Sequence, residues 1–151
     1  EGHSTMKVIT DAKGNEWLVS LTVASIERVK EGAEFDLCSL ILGPPLEKFY
    51  NDLSLVIDCL YWLCKPLADD KQISQSEFKE KLFFGDFIEA AQNAILDELP
   101  AFFPTRRKEV MEKLILEIRT NMERVITDLL ATKSSTSATT SAGSSGSIPK
   151  A

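Results

Sequence analysis

Apolar residues recur along this chain at two different spacings. Over the first twenty or so positions they partly alternate with polar ones. Met6-Lys7-Val8-Ile9-Thr10 and Glu16-Trp17-Leu18-Val19-Ser20-Leu21 are rich in β-branched and aromatic residues, which predicts two strands. Between them, Asp11-Ala12-Lys13-Gly14-Asn15 carries turn chemistry, with Gly14 or Asn15 able to take a positive φ. Two strands are marginal alone, so the hairpin is expected to pack on helices or to join another chain's sheet. From Thr22 the spacing becomes helical. Thr22 is the expected cap, Val23, Ile26 and Val29 the inward face, and Gly32 the stop.

Residues 33–43 fit a helical turn or a strand equally well, and Gly43-Pro44-Pro45 ends either one. Pro45 can open a short helix through Leu46 and Phe49 toward Asn51. Leu53 to Cys64 is the most apolar segment, with one narrow polar stripe of Ser54, Asp58, Tyr61 and Lys65. That pattern predicts the central buried helix of a bundle, stopped by Pro66. Ser74 with Glu77 three residues on reads as a capping box ahead of Phe78 and Leu82, and Gly85 closes that element. Asp86 is the expected cap of the next helix, with Phe87, Ile88, Ala91, Ile95 and Leu99 at core spacing. Pro100 and Pro104 are expected to bracket Ala101-Phe102-Phe103 as a rigid apolar corner.

The last helix is expected from about Thr105 to Ala131. Met111, Ile115, Ile118, Met122, Val125 and Leu129 alternate steps of four and three, a heptad seam of almost three repeats. Leu114, Ile126 and Leu130 widen it. Such a helix is about 40 Å long at its usual rise, more than the shorter preceding elements can cover. The seam is therefore either a face packed within the bundle or, toward Met122–Leu130, a contact with another chain. Seven Ser and three Thr in positions 134–149 predict a disordered tail or linker. The expected architecture is mainly α: a helical bundle with an N-terminal β-hairpin over 6–131 and a disordered Ser/Thr-rich tail over 132–151. Residues 1–5 read as remnant cloning sequence, with Met6 as the natural start.

Composition narrows the chemistry. With 17 Lys and Arg against 23 Asp and Glu, the 151 residues carry a net charge of −6, unsuited to nucleic acid, where affinity comes from neutralising phosphates. The single histidine, His3, lies in the excluded opening, which removes Ser-His and Cys-His catalysis and the histidine zinc motifs. Cys38, Cys59 and Cys64 are odd in number and form no C-x-x-C pair, so they read as reduced, mostly buried thiols in a cytoplasmic protein. No apolar run is long enough for a membrane span. The four glycines between Met6 and Ala131 all fall at element boundaries, and neither a dinucleotide nor a P-loop motif is formed.

Two charged features remain. Asp69-Asp70 with Glu77, or Asp97-Glu98, could hold a divalent ion only by converging in space; otherwise they are a solvated loop and helix face, since neighbours in a helix do not face each other. Arg106-Arg107-Lys108 stands at a helix start, where the macrodipole disfavours cations. It is either a solvated corner or a pairing site for acids, of a partner or of this chain. No enzyme site, metal site or cofactor site is expected. The candidate partner-binding residues are Met111, Ile115, Ile118, Met122, Val125 and Leu129 on the seam, with Arg106 and Arg107.

Four segments carry a resemblance: Thr10-Asp11-Ala12-Lys13-Gly14-Asn15-Glu16-Trp17, Leu60-Tyr61-Trp62-Leu63-Cys64-Lys65-Pro66, Gly85-Asp86-Phe87-Ile88-Glu89-Ala90-Ala91, and Phe102-Phe103-Pro104-Thr105-Arg106-Arg107. In order and spacing the chain resembles small prophage-type proteins of tail modules, similar to the tail assembly chaperones of long-tailed phages. The resemblance implies a mainly helical, non-enzymatic protein of the bacterial host cytoplasm that binds the helical tape measure protein while tail tube protein polymerises, itself a possible oligomer. It also implies that a frameshift can append a further domain through a junction such as the Ser/Thr-rich tail. It carries no catalytic motif. A virion structural protein (a tail-completion or connector subunit) and a carboxylate-metal enzyme are the alternatives.

Overall fold

The computed structural model describes residues 7–147, with side chains to Thr132. The expected cloning remnant at 1–5 and the start at Met6 lie outside the described residues, as does the chain past Ser147. The described chain forms two compact units, the first ending at Ile115 and the second beginning at Leu116.

The fold is mainly α with an N-terminal hairpin, as the spacing predicts. β1 (Lys7–Thr10) and β2 (Glu16–Val19) pair antiparallel, with Ile9 opposite Trp17 and Val8 opposite Leu18. Alternation puts Ile9, Trp17 and Val19 inward, all buried. The turn takes its positive φ at Gly14. Its organiser is Asp11, a buried carboxylate that accepts from the Lys13 amide at 2.8 Å, the Asn15 amide at 3.0 Å, the Asn15 side chain at 2.9 Å and the Trp17 indole at 2.8 Å.

α1 (Val23–Gly32) starts on Thr22, whose hydroxyl accepts from the Ser25 amide. Ile26 and Val29 are buried, but Val23 is exposed, because the first turn lies clear of the core. Gly32 is the last helical residue rather than a left-handed stop. A Cβ there would enter the Trp62 indole, so its smallness serves packing. The ambiguous stretch resolves as a 3₁₀ helix, Leu37–Leu42, capped by Asp36. α2 (Pro44–Asn51) follows Gly43, at φ 98°, and begins at Pro44, one residue before the expected Pro45.

α3 (Leu53–Leu63), capped by Asp52, is the central buried helix. Tyr61 departs from the expected polar stripe and is buried, because its ring packs edge-on against Phe78 at 5.3 Å. Pro66 does not end helical structure: it lies in the first turn of α4 (Lys65–Asp70), where its missing N–H costs nothing. Ser74 caps α5 (Gln75–Glu77) by accepting from the Glu77 amide, and a π turn, Phe78–Leu82, continues it. Phe78 is the aromatic hub, with Trp17 at 5.1 Å and Phe83 at 4.8 Å.

α6 (Asp86–Phe102) is capped by Gly85 at φ 56°, not by the side chain of Asp86, which is its first helical residue. Ala91, Ile95 and Leu99 are buried, while Phe87 and Ile88 are half-buried in the first turn. Buried Gln92 donates to the carbonyls of Phe49 and Tyr50, tying α6 to the end of α2. Pro100 lies inside the last turn of α6, and the corner shrinks to Phe103-Pro104. Phe103 is extended, as the residue before proline prefers. α7 runs Thr105–Ser147. The backbone is thus helical through the Ser/Thr-rich segment as far as Ser147, although the pattern ends the helix near Ala131. That extension contains no large apolar residue to bury.

Candidate functional site

The far half of the α7 seam is one place where the fold leaves neighbouring apolar side chains exposed. Heptad spacing places the six seam residues on one stripe of the helix, yet their burial changes steadily along it. Met111 and Ile115 are 0% and 4% exposed and belong to the core of the first unit. Ile118 and Met122 are half-buried. Val125 and Leu129 are 47% and 62% exposed. Beside them Ile126 and Leu130 are exposed as well. Four large aliphatic side chains therefore meet water within six residues, with Asp128 among them and Glu123 and Arg124 just ahead.

The sequence cannot separate the two halves of this stripe, because spacing is uniform from Met111 to Leu129. Only the packing of the first unit does so, and it removes Met111 and Ile115 from what a partner could touch. Arg106, Arg107 and Lys108 are exposed in the first turn of α7. Among the described residues none of the three is in an ion pair. They form a solvated positive corner at an end of the helix where the dipole offers them nothing.

The acidic residues weighed for a metal are dispersed into separate pairs. Asp69 binds Lys65 at 2.6 Å, Glu77 approaches Lys13 at 3.7 Å, and Asp97 pairs with Lys7 at 3.2 Å. Among the described residues no three His, Cys, Asp or Glu side chains are grouped to hold a metal ion. All three cysteines are free thiols. Burial pushes Cys59 and Cys64 up to about 12, and burial with the Asp36 charge raises Cys38. Their thiolate populations at neutral pH are correspondingly small, which suits packing rather than nucleophilic chemistry.

Among the described residues no helix is long and apolar enough to cross a membrane. The chain matches no family model, no curated protein and no solved structure.

Proposed function

We propose that this chain is a non-enzymatic, protein-binding assembly factor: a tail assembly chaperone of the long-tailed-phage type, whose client is the helical tape measure protein. The observation that carries the reading is the exposed apolar stripe of α7 at Val125, Ile126, Leu129 and Leu130. It continues the register of a seam whose first residues are packed. A stripe with heptad spacing is complementary to another helix with the same spacing, because each side chain fills a hole between four of its partner's. Half-buried Met122 extends the stripe with an unbranched side chain that reshapes easily around imperfect partners. Net charge supports solubility while a sticky client is held. The resemblance in four segments supplies the phage-tail context. In this structure those segments are framework: the Asp11 turn, the end of α3, the start of α6 and the corner before α7.

Co-expression with a tape measure protein tests the reading. The expected result is a soluble complex that co-purifies, with the tape measure protein aggregating when expressed alone. Finding the chain in finished virions, with no complex formed beforehand, would favour a structural subunit and overturn the chaperone.

A further inference from the structure

A cleft of about 220 Å³ opens between β2, α1 and the junction of α3 with α4. Its walls are apolar at Leu18, Leu63, Pro66 and Leu67, and its one cationic lining residue is Arg28. The guanidinium is fixed from behind: Nη1 donates to the carbonyls of Trp62 at 2.8 Å and Leu63 at 3.0 Å, the last residues of α3. These two bonds use two of the five N–H donors of an arginine. The Nε and Nη2 donors have no partner among the described residues. In a chain of net charge −6, this half-buried cation is in no ion pair among the described residues.

Of the other polar side chains of the cleft, Thr22 and Ser25 are taken up within α1, while the Ser20 hydroxyl lines the cleft beside them. Thr22 and Ser25 satisfy one another through the cap of α1, and the Ser25 hydroxyl also reaches the Ser20 carbonyl. The Cys64 thiol donates to the Leu18 carbonyl at 3.6 Å and brings no negative charge to compete for the guanidinium. What remains is a rigid planar donor fork above an aliphatic floor, in a space below the roughly 300–1,000 Å³ of drug-sized sites. A planar fork with one charge selects a carboxylate, which it can meet with two parallel bonds.

We propose that this cleft binds a small branched aliphatic carboxylate, its oxygens on Arg28 and its alkyl group on Leu18, Leu63, Pro66 and Leu67. The same chemistry is presented by a free acid and by the apolar C-terminal residue of a polypeptide. The site is independent of the α7 face.

Titration of the ¹⁵N-labelled protein with isovalerate, read by chemical shifts of the Arg28 Nε–H and of the amides of Cys64 and Leu67, is the test. Saturable shifts are expected, with isovaleramide binding at least about tenfold more weakly, as loss of hydrogen bonds to a charged group requires. Ser20→Phe fills the cleft and leaves the Arg28 bonds to α3 in place; it should abolish the shifts. A short peptide ending in a free leucine carboxylate, compared with its amide, identifies the source. Tighter binding of the acid peptide than of isovalerate assigns the site to a chain terminus, and weaker binding to a free acid. Equal binding of isovalerate and isovaleramide, or absence of saturation with both acids, would overturn the proposal, and neither result depends on a variant that must fold.

Discussion

Asp11 shows how much one side chain organises here. Burial by itself pushes its carboxyl toward the neutral form. Hydrogen bonds from the Trp17 indole, the Asn15 side chain and the amides of Asn15 and Lys13 outweigh that cost and hold its pKa below the ordinary carboxylate value. The folded protein is therefore the stronger acid at this position. Its stabilisation is complete above the unfolded value, about pH 4, and is lost as pH falls through the folded one. Asp11→Asn keeps the shape but turns an amide N–H₂ or a single carbonyl toward donors that all need an acceptor. The expected loss at pH 7 is about 1.5–3 kcal/mol, the range for hydrogen bonds to a charged group. The variant should also show a shallower fall in stability below pH 4. Urea unfolding at pH 7 and pH 3 measures both, and a variant as stable as the parent at pH 7 would show that the turn does not rest on this carboxylate.

The elements divide by how local their causes are. The hairpin, the Thr22 and Ser74 caps and the buried face of α3 are legible in the sequence because each is set by residues within a few positions of one another. Gly32 is not, since what it must avoid is the Trp62 ring of another helix. The same holds for Tyr61, drawn into the core by Phe78, and Pro100 lies inside α6 although proline removes one N–H from a helix. The α7 seam is legible as a stripe but not as two halves. The Arg28 cleft is wholly illegible, being assembled from residues near 20 and near 65. The far end of α7 departs from local rules: Ser, Thr and Gly are weak helix formers, yet the backbone stays helical to Ser147. Removing residues 134–151, which hold Ile148 as their only large apolar residue, should leave the melting temperature of the rest almost unchanged. A fall of many degrees in a calorimetric scan would mean that this segment contributes to the folded core.

At the scale of the whole molecule, the useful distinction is between apolar residues that the fold buries and those that it leaves in water. Met111 and Ile115 fall on one side of it, and Val125 and Leu129 on the other. Charge at the exposed pair separates the two roles. In Val125→Asp with Leu129→Asp, two carboxylates replace aliphatic groups that already meet water, so the fold loses little. The same charges inside a core would cost about 3–5 kcal/mol or more, because a carboxylate buried without a partner cannot recover its hydration. Met111→Asp is the internal contrast and should unfold the first unit. The double variant is expected to keep the parental circular dichroism and to melt within a few degrees of it. It should fail to retain a tape measure fragment in a pulldown, since a client helix would have to cover both charges. Light scattering in line with size exclusion reports whether self-association uses the same stripe, in which case the mass falls with client binding. A double variant that unfolds would place Val125 and Leu129 in the core. One that stays folded, with client capture and mass both unchanged, would remove this face from the function.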